Sequence, residues 1–544
     1  MQKLEGKIYS IFALSAILIL LSNCSGERQE KIKEQRPNIV FIMSDDHASR
    51  AISCYDGTLN QTPNIDRIAS EGAIFTNSFV GNSICGPSRA TMITGKFSHK
   101  NGFLANYRSK FDGSQQTLPK LLKANGYNTA IVGKWHLGTT PTGFDYWNVF
   151  PDQGDYYNPD FIDNGDTVRL NGYATNLVTN LAINWLNEKR NPDQPFMLFV
   201  HHKAPHRNWM PDTAKLDMYD GHEFPLPFNF KGDFSDRGKA SAEADMGIWK
   251  TMSWSHDMKF TDYPTEWEHY KPDGEWHAKR YPQVELGRMT SAQRALWDDY
   301  YESRNAEVKE GLKSGATSLE EHIQWRYQRY MHDYLATISS VDDNVGRLLD
   351  YLEANGLDDN TIVVYTSDQG FYLGENGWFD KRFMYEQTLR TPFVMKYPGQ
   401  IKPGTKVDKF IMNIDYMPTL LSYAGVGVPQ DIQGRSFHTL LNEQPVSDWR
   451  NSIYYHYYMF PGTHSVKRHF GVRNERYKLI RFYHDIDEWE LYDLQEDPNE
   501  LKNVYDDPNY QGIVAEMKEV LRANQEQYED SYELAMDYLE NNRW

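Results

Sequence analysis

Asp45 and Asp46 stand side by side, and Asp368 and Gln369 form a second acidic pair far along the chain. Adjacent carboxylates repel unless a cation neutralises them, and an all-oxygen donor set suits Ca2+ or Mg2+ far better than zinc. Gln369 can join such a set through its amide carbonyl without adding charge. Either pair alone also reads as a helix cap or a surface turn; the two together favour a metal. Between them lies Cys85-Gly86-Pro87-Ser88-Arg89, a cysteine in a Gly/Pro turn entering a helix. Backbone N–H groups and Arg89 favour a thiolate or a phosphate-like anion there. Gly133-Lys134-Trp135-His136 and His201-His202-Lys203-Ala204-Pro205-His206 add groups that carry charge or move protons.

All of these groups except the Cys85 turn follow a short β-rich apolar run. Runs at 38–43, 129–132, 196–200 and 361–366 precede them, with a further run at 393–396. Helical patterns at 117–125, 175–188 and 330–355 lie between, the last stopping at Gly356. Strands alternating with helices imply an α/β fold, a large mixed, mostly parallel sheet sandwiched by helices. In such sheets the site lies outside the carboxyl ends of the strands, so separate segments deliver their groups to one rim. Any one of them alone also reads as a solvated loop.

Residues 207–328 break the pattern. They are charge-rich and hold Trp209, Trp249, Trp254, Trp267, Trp276, Trp297 and Trp325, which reads as an insertion over the rim. Packing is the expected work of most of these rings, with stacking on sugars the alternative. A helix is predicted at 291–310. From about Asp448 tyrosine-rich strands at 453–458, 470–473 and 478–482 precede a polar helix at 511–541, predicting a smaller C-terminal α+β domain on an antiparallel sheet. The expected boundaries are 37–447 and 448–544.

The run CGPSRATMITG at 85–95 resembles the signature of the type I sulfatases, the formylglycine-dependent branch of the alkaline phosphatase superfamily. PNIVFIMSDD, GKWHLG, the His206 segment, TSDQG and Lys381 follow in that family's order, and the resemblance covers 37–506. It implies that a separate formylglycine-generating enzyme oxidises Cys85 to an aldehyde (3-oxoalanine), whose hydrate is the nucleophile. It further implies one Ca2+ held by Asp45, Asp46, Cys85, Asp368 and Gln369, the last where the family more often has Asn. Arg89 and Lys134 would stabilise the diol and the sulfate oxygens, His136 would take a proton during sulfate release, and His206 with Lys381 would serve the leaving oxygen. His201 and His202 rank below His206. The stretch at 367–399 looks closest to sulfatases of glucosamine-6-sulfate in heparin- or heparan-type glycans. Sulfatases of other polysaccharides, phosphonate or phosphate ester hydrolases of the same superfamily, and an unmatured glycan-binding protein are the alternatives.

Composition narrows the partners. The 544 residues are 40% hydrophobic and 24% charged, which excludes wholesale disorder. A net charge of −18 argues against nucleic acid or anionic membrane as a partner and requires a local basic pocket for any anion. One basic run, 464–481, offers His464, Lys467, Arg468 and His469 as substrate contacts; a solvated strand face is its bland reading. The three cysteines, Cys24, Cys54 and Cys85, are too few for a disulfide scaffold or a thiolate zinc cage. Lys3 and Lys7 precede an apolar run at 8–21, short for a span and typical of a signal peptide. Leu21-Ser22-Asn23-Cys24 then resembles a bacterial lipoprotein box, making 1–23 a signal peptide, Cys24 a lipidated residue and 24–36 a tether. The expected location is the periplasm or outer membrane of a Gram-negative bacterium.

Overall fold

A computed structural model of the chain describes residues 36–107, 109–442 and 446–541. The signal peptide, Cys24 and nearly all of the tether lie outside the described residues. At the centre of the rest is a ten-stranded sheet. Asn38–Ser44 is flanked by parallel partners Phe196–His201 and Thr361–Ser367, and Asn128–Gly133 continues the parallel run beyond Phe196–His201. Register brings their ends level: Ser44 lies opposite Ser367, Met43 opposite His201, and His201 opposite Gly133. Whatever follows these strands therefore emerges on one rim. Gly133 is required at that rim. Its φ is +95°, and a Cβ there would lie 2.0 Å from the His201 carbonyl oxygen.

Alternate side chains of the strands serve opposite faces, as a pleated strand demands. Ile39, Phe41 and Met43 pack with Ala90, Ile93, Met417 and Leu420 on one face. Val40 and Ile42 pack on the other with Val178, Val341, Val345 and Leu348. Burial of each such aliphatic side chain contributes about 1.5–3 kcal/mol, which holds the strand ends in place.

The sheet is mixed, as expected: Phe393–Lys396 runs antiparallel to Thr361–Ser367. The 368–392 connection carries only the short helices Glu375–Gly377 and Glu386–Leu389, neither of which spans the sheet as a crossover helix. Several expected helices are corrected. The helix expected at 330–355 spans Leu319–Ala354, because Ser318 and Glu321 form a capping box at its start. It thus begins inside the segment read as an insertion. The 291–310 helix extends as Ser291–Lys313. The C-terminal helix is two, Gln511–Tyr528 and Tyr532–Glu540, broken at Glu529 with φ +56°. The break delivers the Asp530 carboxylate to His456 Nδ1 at 2.8 Å and to the Tyr454 and Tyr458 hydroxyls.

The antiparallel sheet Ser452–Tyr457, His469–Asn474, Tyr477–Phe482 and Glu488–Asp493 packs against Gln511–Tyr528. In the 207–328 segment Trp209, Trp254 and Trp267 are buried beside Tyr327, Tyr330 and Tyr334 of the long helix. Trp276 is exposed. Among the described residues no helix is long and apolar enough to cross a membrane.

Candidate active site

Carboxylate oxygens of Asp45, Asp46 and Asp368 lie within 4.8 Å of one another, and all three residues are fully buried. Three buried negative charges at that spacing are unfavourable without cations, and the fold supplies them. Arg89 donates Nε and Nη2 to Asp368 Oδ2 at 3.0 and 2.9 Å, and Nη1 to the Lys134 carbonyl at 3.0 Å. The Lys134 ammonium meets Asp45, and Lys381 Nζ sits 2.5 and 2.6 Å from the two oxygens of Asp46. Burial alone would strip the Lys381 proton, but Asp46 outweighs it and holds the ammonium charged. Lys134 is shifted well below its ordinary range by burial.

Cys85 opens the ten-residue helix Cys85–Thr94, fully buried, with its thiol donating to Asp45 Oδ1 at 3.2 Å. Burial, with Asp368 and Asp46 against Lys381 and Arg89, pushes the thiol up to about 12. A neutral thiol is a poor nucleophile. The sulfur, an Asp45 oxygen and a His206 nitrogen also lie within 4.8 Å of one another.

His206 gives its Nδ1 proton to the Arg207 carbonyl at 2.6 Å, which leaves Nε2 facing Asp46 Oδ2 at 3.8 Å. Burial, then Lys134 and Lys381, keeps the ring neutral. His201 instead lies under the rim, against the Lys134 carbonyl and Phe199. His136 is half-buried and kept neutral by desolvation, then by Lys134 and Arg89. It is oriented by Gln153, a residue the sequence reading missed. Lys134 Nζ donates to Gln153 Oε1 at 2.5 Å, which turns the Gln153 NH2 toward His136 Nε2 at 2.9 Å.

A hard cation fits this donor set. Gln369 donates Nε2 to Asp46 Oδ1 at 2.5 Å, but its Oε1 is buried with no hydrogen-bond partner. An orphaned carbonyl oxygen beside three carboxylates is the environment that Ca2+ satisfies.

The 464–481 run divides. His464 joins the rim, with Nε2 3.2 Å from Asp380 Oδ2 beside Lys381. Lys467 pairs with Glu243 at 3.0 Å, and Arg468 is buried against Asp485 at 2.7 and 2.9 Å. His469 is fully buried, accepting Met384 N–H at Nε2 and giving Nδ1–H to the Lys467 carbonyl. The expected substrate contact thus gives way, for Arg468 and His469, to holding the sheet and the segment that carries Lys381. Asp380 and Arg382, flanking Lys381, were also missed. Arg382 Nε has no hydrogen-bond partner, and both flanking residues hold positive φ, +79° and +96°. Backbone strain of this kind marks functional segments, and it appears again at Asp46 and His136.

The sulfatase family matches residues 37–426, and the family described as N-sulphoglucosamine sulphohydrolase, C-terminal matches residues 374–527. The chain belongs to the sulfatase family. It is therefore a hydrolase of sulfuric esters, a family that works with a formylglycine and a metal ion. The sulfatase is 47% identical to an N-acetylglucosamine-6-O-sulfatase of Bacteroides thetaiotaomicron, over 96% of this chain and 92% of that one. It is also 47% identical, with a TM-score of 0.85, to a solved structure in complex with its substrate D-glucosamine-2-N,6-O-disulfate, covering 92% of this chain and 99% of that one. An N-acetylglucosamine-6-sulfatase of Capra hircus is 25% identical over 80% of this chain and 68% of its own.

Proposed function

We propose that this sulfatase removes the 6-O-sulfate of glucosamine or N-acetylglucosamine in heparin- or heparan-type saccharides. The observation that carries the reading is near-full-length similarity, at 47%, to an N-acetylglucosamine-6-O-sulfatase. A formylglycine made from Cys85 by a maturation enzyme supplies a hydrated nucleophile, and Ca2+ at Asp45, Asp46, Asp368, Gln369 and residue 85 supplies charge that activates it and polarises the sulfate.

Arg89 and Lys134 stabilise negative charge on residue 85 and on the equatorial sulfate oxygens, since both cations are fixed before substrate arrives. His136, kept neutral, takes the proton of the second hydroxyl as sulfate leaves. A sugar alkoxide is a poor leaving group, so an acid must meet it. His206 Nε2 serves there once it has taken a proton from solvent, its proton affinity raised when the anionic sulfate enters; it then gives that proton to the leaving oxygen, and the Lys381 ammonium assists at the same oxygen. Asp380, Arg382 and His464 line the approach, where their polar atoms can meet sugar hydroxyls. Residues 37–447 form the catalytic domain and 448–544 the smaller one. The lipoprotein box at Cys24 supports export and lipid anchoring at a Gram-negative periplasm or outer membrane.

Sulfate release from glucosamine and N-acetylglucosamine sulfated singly at each position, beside an aryl phosphate, tests the reading. The 6-sulfate should react fastest in matured protein, and Cys85→Ala should abolish it with folding intact. Preference for another ring position or for phosphorus overturns the reading, as does an unmodified, inactive Cys85 in the native host.

A further inference from the structure

The 207–328 segment contains a cavity of about 260 Å3 that the chemistry above does not use. Lys250, Lys271 and Arg326 line it. The Lys271 ammonium sits 4.6 Å from the Trp249 ring centre. Among the described residues neither Lys250 nor Lys271 is paired with a carboxylate. Arg326 is buried in the wall, donating to the Ile248 and Met252 carbonyls and facing the Trp249 and Trp254 rings. The two acids at the edge are already served from within. Asp273 accepts from the Trp254 and Ser255 N–H groups at 2.6 and 2.9 Å, and Asp245 accepts the Thr251 hydroxyl at 2.5 Å. Like charges gathered around a cavity, with its carboxylates otherwise engaged, favour an anion. Burial first, then Lys250 and Arg326, already lowers the proton affinity of Lys271.

Trp249 and Lys250 also edge a second cavity, of about 830 Å3, walled by Phe228, Phe234 and Trp378. Aromatic faces beside cations suit a pyranose ring bearing a charged group. Both cavities share Asp245, and Asp245 ties them to the rim: its N–H donates to the His464 carbonyl at 2.8 Å, and its carbonyl accepts His464 Nδ1–H at 2.5 Å. His464 is the residue that faces Asp380 beside Lys381.

We propose that this furrow is a second saccharide subsite, in which Lys250 and Lys271 take the sulfate or carboxylate of a further sugar in the chain whose terminal sulfate is cleaved. The proposal rests on the saccharide reading above. The test compares wild type with K250A/K271A on 6-O-sulfated glucosamine and on a heparin-derived tetrasaccharide ending in that sugar. Both lysines are exposed, so thermal unfolding should not change. The tetrasaccharide KM should rise about tenfold with kcat kept, the monosaccharide should be unaffected, and the difference should shrink in high salt. Equal change on both substrates, or none on either, overturns the subsite. If neither substrate is hydrolysed, the functional reading has failed by itself, and calorimetric titration of the tetrasaccharide decides: weaker binding to the variant supports the subsite, equal binding overturns it. A tetrasaccharide desulfated beyond its terminal sugar assigns the anion; a lysine-dependent affinity that persists points to carboxylate, one that disappears points to sulfate, and both support the subsite.

Discussion

Glu490 gives a measurable pH dependence. It is fully buried in the strand Glu488–Asp493, where Oε2 accepts the Tyr385 and Tyr492 hydroxyls at 2.8 and 3.0 Å and Oε1 accepts nothing. Burial pushes the carboxyl up to about 7 from 4.5, despite the tyrosine hydrogen bonds and Arg237, which pull it down. Between those values the folded chain keeps a proton that the unfolded chain has released, so stability falls as pH rises through the interval. The stabilisation is whole below the unfolded value and gone above the folded one. A shift of that size corresponds to about 3 kcal/mol.

Glu490→Gln removes the titration while keeping the volume and an acceptor for both tyrosines. Urea unfolding at pH 5, 6, 7 and 8, followed by tryptophan fluorescence, should show E490Q gaining on wild type across that range, by up to about 3 kcal/mol. Parallel profiles would refute the reasoning, because they would mean that the wild-type carboxyl titrates alike in both states. Tyr385 belongs to the segment bearing Lys381, so sulfate release measured on the same samples reports whether the clamp is intact.

His469→Ala removes the acceptor of the buried Met384 N–H, which should cost about 1–3 kcal/mol; a fall in unfolding midpoint together with kcat is expected, whereas Lys467→Ala should lower neither. Gln153→Ala unties Lys134 from His136 and should reduce kcat by about ten- to a hundredfold, with a changed pH profile and little change in KM; an unaltered profile would count against Gln153 as a positioning residue. Chelation should lower the thermal midpoint of the folded enzyme, and Ca2+ should restore it at lower concentration than Zn2+; saturation at about a hundredfold over Kd would be worth about 2.7 kcal/mol.

What the sequence made legible is what sits directly after a strand. Asp45, Lys134, His202 and Asp368 each follow a short apolar run, so hydrophobic pattern and chemistry coincide and the rim could be drawn from the order of residues. Gln153, Asp380 and Arg382 lie in irregular segments, where a lone polar residue has no local signal and its partner is chosen by long-range packing. The 464–481 run misled for the same reason. Its cations find acids distant in sequence, Lys478 with Glu386 and Glu500, Arg473 with Glu386, and Arg468 with Asp485. The start at Leu319 did have a local signal in Ser318 and Glu321, whereas the helix break before Asp530 answers the buried His456 and its tyrosine neighbours, which no local pattern announces.

The charge of the site bears on why an acidic chain can take a sulfate at all. Arg89, Lys134 and Lys381 face Asp45, Asp46 and Asp368, so the clustered side chains come close to cancelling. A balanced cluster holds its own geometry but gives an arriving sulfate no net attraction, and burial makes any uncompensated charge expensive. A divalent cation held by Asp45, Asp46, Asp368 and Gln369 would supply the charge that answers those carboxylates, leaving Arg89, Lys134 and Lys381 as the chain's own cations for the sulfate oxygens. Arg89 and Lys134, already held by Asp368, Asp45 and the ends of the strands, would then meet the sulfate without moving.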